Sequence, residues 1–350
     1  LFARSTKGQG AYTIALDPAV DAPAFAVCDD HIVAAYTDEE ALIKLCEASD
    51  VVTYEFENIP AEVLIPLCEK YNIKQGYRPL LDSQDRLREK NNAIAHSLQT
   101  PPFEAVEGTA SLQMAIDKIG LPAVLKTRTL GYDGHGQVVI RTMADFARAA
   151  ELTSVPCILE GFVDFDFEVS VVAVRSTQKT VIFPVGRNIH RDGILDLCLV
   201  PAELSVELSA KIESQCSAFM AGCGYEGILA IELFVKGDEI IFNEMAPRPH
   251  NSGHYTIEGT STNQFRELCR FLMDEPLQNA KLTAPRVIMK NILGEDMAQA
   301  EKIAAEGHEG VYVHLYGKTV CKPKRKMGHI TFVGMTLEEY NTSWRERFKK

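Results

Sequence analysis

Short β-branched runs at 12–16, 31–34 and 51–54 are separated by amphipathic stretches at 38–48 and 60–71, the βα rhythm of a parallel sheet. Pro60 suits a helix's first position, and Asp82 or Ser83 can cap a polar helix running to about Leu98. Thr100-Pro101-Pro102 must end that helix, because proline lacks the amide hydrogen, and the first boundary is placed there. A second unit reads as a helix over 111–119, a strand at 123–126, a glycine-rich loop, a strand at 138–141 and a helix over 144–151. From Cys157 the pattern changes to alternating strands at 157–160, 168–175 and 180–184, which predict an antiparallel sheet. A helix over 203–222 then leads into apolar runs at 227–235 and 239–245, with further strands at 287–293, 311–315 and 329–332. The fold class is therefore α/β followed by α+β.

Composition adds exclusions. With 46% hydrophobic and 24% charged residues, the chain has the make-up of a globular protein with substantial cores. The longest apolar run, 227–235, contains Glu232 and is far too short to span a bilayer, so no membrane role is expected. Thirty-six Lys and Arg against 48 Asp and Glu give a net charge of −12, which argues against a nucleic-acid partner and requires any anionic ligand to meet a local basic pocket. Nine scattered cysteines without a Cys-x-x-Cys pair fit reduced thiols in a cytoplasmic protein.

The sharpest chemical signal is Glu232 with Glu244. A hairpin with the three-residue loop Gly237-Asp238-Glu239 puts them directly opposite, each flanked by apolar neighbours, where like charges repel and desolvation is costly. A divalent cation, Mg2+ or Mn2+, removes both penalties, and Asn243 stands beside them. The alternative is a pair of solvated carboxylates on an edge hairpin, and a two-residue loop would shift the register by one. The second signal is Lys126 at a strand end followed by Gly131, Tyr132, Asp133, Gly134, His135, Gly136 and Gln137, a loop able to bring backbone amides close to phosphate or simply a flexible hairpin. It is neither a Walker A loop nor a dinucleotide fingerprint. Third, Arg248-Pro249-His250-Asn251-Ser252-Gly253-His254 suits an anion site rather than zinc, since proline and glycine preclude the helix that His-x-x-x-His needs. Lys322-Pro323-Lys324-Arg325-Lys326, the densest basic cluster, is either a solvated turn or a phosphate pocket.

In this order, a lysine before a glycine-rich hairpin, a Leu-Glu strand end and two carboxylates on a later hairpin resemble the ATP-grasp superfamily. Tyr54-Glu55-Phe56-Glu57-Asn58, Asp85-Arg86-Leu87, Asn188-Ile189-His190-Arg191-Asp192-Gly193-Ile194, Asn243-Glu244-Met245-Ala246-Pro247-Arg248 and the His250 to His254 string look like the 5-(carboxyamino)imidazole ribonucleotide synthases of purine biosynthesis. The resemblance implies an ATP-grasp fold in three parts: a Rossmann-like doubly wound parallel-sheet domain at 1–99, a small lobe at 100–163 and a large lobe with the metal and substrate sites at 164–350. It also implies a carbon–nitrogen ligase, a cytoplasmic homodimer, that joins bicarbonate to 5-aminoimidazole ribonucleotide with ATP as co-substrate, through carboxyphosphate.

By the same resemblance, Arg86 and Lys126 would contact the ATP phosphates beneath the loop from Gly131 to Gln137. Glu160, Gly161, Phe162 and Val163 would line the adenine slot, Glu168 would hold the ribose, and His190, Asn243 and Glu244 would complete the nucleotide site. Glu232 and Glu244 would hold the metal. Tyr132, Asp133, Arg248, His250, Asn251, Ser252, Lys318, Arg325 and Lys326 would face bicarbonate and the ribonucleotide, with Arg248, Asp133 and His250 carrying the catalysis. Relatives open with a strand and a glycine-rich loop, and Leu1 to Lys7 reads as the end of the helix after that loop, so both are expected to be missing here. Arg187 stands where relatives often carry an acid. Two other readings stay open: a different ATP-grasp ligase acting on a purine intermediate, and a nucleotide-binding regulatory protein without turnover.

Overall fold

The computed structural model describes residues 1–7, 9–131 and 136–348. Strands β1 (Ile14–Asp17) and β2 (Asp30–Val33) pair in parallel, as the βα rhythm predicts. The run at 51–54 contributes only one parallel bridge, Val52 to Ile73. Leu42, Tyr54, Leu64, Leu67 and Leu80 form the core of this part.

The polar helix expected from Asp82 or Ser83 is two helices, Arg78–Ser83 and Arg86–Ala95. Asp85 makes the break. It is extended, its carboxylate accepts from the amides of Leu87 and Arg88, and it also holds Arg128 through Nε at 3.1 Å and Nη2 at 2.5 Å. An N-cap that is also an ion-pair partner fixes where the second helix begins, and with it the direction of Arg86.

β3 (Phe103–Val106), β4 (Ala123–Thr127), β5 (Gln137–Ile140) and β6 (Cys157–Gly161) make a four-stranded antiparallel sheet in the order β3-β6-β4-β5. The pattern assigned Cys157–Gly161 to the following sheet and gave no strand at Phe103–Val106. Instead β6 is the central strand here, pairing with both β3 and β4.

The large sheet contains β7 (Phe167–Arg175), β8 (Thr180–Ile182), β9 (Gly186–Arg191), β10 (Ile194–Val200), β11 (Gly227–Lys236), β12 (Glu239–Ala246), β13 (Val287–Leu293), β14 (Val311–Leu315) and β15 (Lys326–Val333). Its order is β12-β11-β7-β9-β10-β13-β15-β14, with β8 on β7. One face packs on helix Val206–Cys223 through Leu208, Ile212, Phe219 and Met220. On the other, helix Gln264–Leu272 covers Val172, Ile228 and Ala230. Glu232 and Phe234, next on the same face of β11, lie beyond that cover, and there the sheet is free to build a site. Buried Gln75 ties the N-terminal part to the hairpin: its Oε1 accepts from Ile228 N at 2.8 Å and its Nε2 donates to Pro247 O at 3.4 Å.

Candidate active site

Glu232 and Glu244 face each other across β11 and β12. The register arises differently from the three-residue loop expected. Lys236 pairs with Glu239 around the two-residue turn Gly237-Asp238, and the ladder runs in that register to Leu233 opposite Phe242. There it shifts, Asn243 being the extra residue of a bulge, and Glu232 meets Glu244. Burial, and then the charge of Glu244, pushes the Glu232 carboxyl up to about 8. Burial acts on Glu244 in the same sense, but Arg86 and Lys126 outweigh it and hold this carboxyl down to about 2.

The cations come from two elements. Arg86 opens its helix and places Nη1 2.9 Å from Glu244 Oε2. Lys126, near the end of β4, meets Glu160 Oε2 at 2.9 Å, and Lys90, fully buried, meets the same oxygen at 3.4 Å. The Glu160 carboxylate is thus committed to two ammonium groups through Oε2, while its Oε1 is buried without a hydrogen-bond partner. Gly161, Phe162 and Val163 line a cavity of about 410 Å3 together with Pro101, Pro122 and Ile241.

Across β7 and β9, His190 Nδ1 is ion-paired with Glu168 Oε2. Burial disfavours the imidazolium, yet the hydrogen bond and charge of Glu168 prevail and raise the His190 pKa. The Asn243 carbonyl accepts from Lys90 Nζ at 2.6 Å. Gly136, at φ +72°, leaves no room for a side chain, because a Cβ there would lie 2.7 Å from Thr127 Oγ1; Gln137 pairs with Lys126. Gly131 precedes Tyr132, Asp133, Gly134 and His135, which lie outside the described residues.

Arg248 is gripped by Glu57, with Nε and Nη2 both 2.5 Å from Oε2. His250 is buried so deeply, and so close to Arg248 and Lys326, that its pKa falls well below the ordinary value and the ring is neutral. Its Nδ1 accepts from the Ser252 amide at 3.4 Å and lies 2.8 Å from Ser252 Oγ, so the hydrogen-bond pattern assigns the proton to Nε2, 3.9 Å from Glu232 Oε1. Ser252, expected to face the substrate, is fully buried in the 3-10 turn Asn251–Gly253, with its Oγ against His250. Asn251 Nδ2 approaches His254 Nδ1 and Asn291 Oδ1, each at 3.4 Å, and its Oδ1 is buried without a partner. Lys326 acts by charge on both Glu232 and His250. Lys318 donates to Lys326 O at 2.7 Å, while Arg325 is exposed and donates to Val320 O at 2.6 Å.

The donor set fits magnesium or manganese. Two hard carboxylate side chains stand opposite each other, the oxygen donors that such a cation takes, and Glu232 and Glu244 would hold it. Sequence reasoning missed Glu89 and Lys90, and it quoted Glu57 within the 54–58 string without giving it a role. Spacing offered one signal for the first two, since Arg86, Glu89, Lys90 and Ala93 share a helix face.

Family models agree with this layout. One for the ATP-grasp domain matches residues 91–265, one for the phosphoribosylaminoimidazole carboxylase C-terminal domain matches 287–343, and one for the ribonucleotide synthetase preATP-grasp domain matches 1–78. The N5-carboxyaminoimidazole ribonucleotide synthase of Staphylococcus haemolyticus is 38% identical over 352 residues, covering 100% of this chain and 93% of that protein. The chain belongs to this synthase family. Among solved structures, the ADP complex of an N5-carboxyaminoimidazole ribonucleotide synthetase superposes with a TM-score of 0.95 at 40% identity, covering 99% of this chain and 92% of that one. The Aspergillus clavatus synthase, in complex with ADP and 5-aminoimidazole ribonucleotide, reaches 0.89 at 25% identity, covering 99% and 93%. The three models together match residues 1–78, 91–265 and 287–343, and the site just described draws Glu57 from the first, Glu232, Glu244 and Arg248 from the second and Lys326 from the third. No helix among the described residues is long and apolar enough to cross a membrane.

Proposed function

We propose that this protein carboxylates 5-aminoimidazole ribonucleotide with bicarbonate and ATP, giving 5-(carboxyamino)imidazole ribonucleotide, ADP and phosphate in purine biosynthesis. The observation that carries the reading is the opposed pair Glu232 and Glu244 with Arg86 upon it, in a chain that matches the synthases along its whole length. Membership of this family, and the Arg248 to His254 loop beside the carboxylates, favour it over the other ATP-grasp ligases and over a regulatory protein without turnover.

Arg86 and Lys126 direct positive charge at the ATP phosphates, Lys126 exchanging Glu160 for phosphate when nucleotide enters. Glu232 and Glu244 would hold magnesium, which when bound would supply neutralisation of the phosphate charge, something this chemistry needs more than a protein nucleophile. A bicarbonate oxygen attacks the γ-phosphorus as the bridging oxygen leaves with ADP, forming carboxyphosphate. The ribonucleotide amine then bonds to the carboxyl carbon, phosphate departs and the amine loses a proton. Arg248, oriented by Glu57, grips the planar carboxylate with its fork, and His250 offers Nε2–H to an oxygen of the same group. By the family resemblance, Asp133 completes the catalytic set. The basic residues Lys318, Arg325 and Lys326 take the ribose phosphate. The reading includes a cytoplasmic homodimer; the cytoplasm is supported by nine cysteines that are all free thiols, and the dimer rests on the family resemblance.

Phosphate release from ATP, measured with and without bicarbonate and with and without the ribonucleotide, tests it. Turnover is expected only when bicarbonate is present and to rise with the ribonucleotide. Formate replacing bicarbonate, or indifference to the ribonucleotide, would overturn it.

A further inference from the structure

β12 carries one residue more than the stretch of β11 it faces, and that residue is Asn243. A bulge strips its extra residue of ladder partners, and buried amides and carbonyls must find others. Helix Arg86–Ala95 supplies them from one face. Lys90 Nζ donates to Asn243 O at 2.6 Å and to Phe242 O at 3.4 Å. Glu89 Oε1 accepts from Met245 N at 2.6 Å. Arg86 meets the Glu244 carboxylate between them at 2.9 Å. Lys90 and Glu89 are 0% and 2% exposed, so neither contact is a surface accident, and Lys90 lies over the Phe242 ring with Nζ 5.5 Å from its centroid.

The bulge decides which way Glu244 points. Met245 packs in the core beneath the sheet with Leu233 and Phe242, while Glu244 lies on the opposite face with Glu232. Because strand side chains alternate, a slip of one residue would turn Glu244 into that core and bring Met245 to the site. We infer that Glu89 and Lys90 are positioning residues that clamp the bulge at Asn243 and so aim Glu244 at Glu232, making the metal site depend on two side chains that touch neither metal nor substrate. This rests on the reading of the carboxylate pair as metal ligands.

The test is ADP titration by calorimetry, once with Mg2+ and once with EDTA. In the wild type, metal is expected to tighten ADP binding. Glu89→Leu is expected to bind ADP in EDTA within about twofold of wild type, whereas Lys90→Met, which also takes a partner from Glu160, is read only by its ratio of ADP affinities with and without metal; both are expected to lose about tenfold or more of the metal enhancement, the usual cost of removing a group that orients a metal ligand. Glu89→Gln, which keeps the acceptor for Met245 N, is expected to retain the enhancement within about threefold. Should Lys90→Met not fold, Lys90→Arg decides, since a guanidinium can still donate to both carbonyls: an enhancement near wild type supports the clamp, and its loss in a folded protein contradicts it. Wild-type enhancement in folded Lys90→Met and Glu89→Leu would overturn the inference. A wild type whose ADP binding ignores metal would instead contradict the assignment of Glu232 and Glu244, a separate failure.

Discussion

Glu57 holds Arg248 across 191 positions of sequence, its Oε2 lying 2.5 Å from both Nε and Nη2. An acid from the N-terminal part therefore orients a guanidinium that follows the carboxylate hairpin, and the two ends of that contact belong to different sheets' neighbourhoods. Arg248→Lys replaces a planar fork with a point charge and is expected to lower kcat on the order of 10²-fold, as for the loss of one transition-state donor. Glu57→Gln, which keeps an acceptor but loses its charge, is expected to cost less, about tenfold. Retention of more than about half the wild-type rate in Arg248→Lys would make Arg248 a bystander.

Glu244→Gln preserves volume and removes one charge from the opposed pair. Turnover is expected to be abolished with the melting temperature nearly unchanged, because the half-buried side chain keeps its hydrogen-bonding reach to Arg86. Assay at limiting magnesium is the sensitive check, and wild-type activity there would show that the carboxylate holds no metal.

Lys326→Ala separates the two substrates. Lys326 acts on Glu232 and His250 by its charge, and in the proposed function it holds the ribose phosphate. Its removal is expected to raise KM for the ribonucleotide and leave KM for ATP unchanged. Equal effects on both, or on neither, would assign the basic cluster to a solvated turn.

The clamp carries a pH signature. Burial lifts the Glu89 carboxyl to about 8, against the pull of Lys90 and Arg86. The folded protein thus holds a proton that the unfolded chain releases near its ordinary carboxylate pKa. The stability this contributes is fully present below the unfolded value and is lost as pH rises through about 8. Glu89→Gln cannot titrate, so its melting temperature is expected to fall less than that of the wild type between pH 5 and 9. Parallel declines in the two proteins would contradict this.

The carboxylate pair was legible because β11 and β12 are adjacent in sequence and alternate cleanly. The three-residue loop and the observed two-residue turn with a bulge give the same pairing beyond Asn243, since one extra residue shifts the register equally from either place. Lys90 escaped notice because the inward face of its helix is Arg86, Glu89, Lys90 and Ala93, which hydrophobic periodicity reads as solvent. Gly186–Arg191 escaped as a strand for a related reason: its residues are mostly polar because Asn188 and His190 point into the site. Glu57 stands in a string that carries the family resemblance, but its role has no local signature, its partner being 191 positions away.

The most direct measurement is the fate of oxygen in bicarbonate. With oxygen-18-labelled bicarbonate, ATP and the ribonucleotide in unlabelled water, attack of bicarbonate on the γ-phosphorus predicts that each phosphate released carries one labelled oxygen, read by mass spectrometry or by the phosphorus-31 isotope shift. Phosphate free of label while the ribonucleotide is carboxylated would show that water, not bicarbonate, receives the phosphoryl group, and would contradict the account.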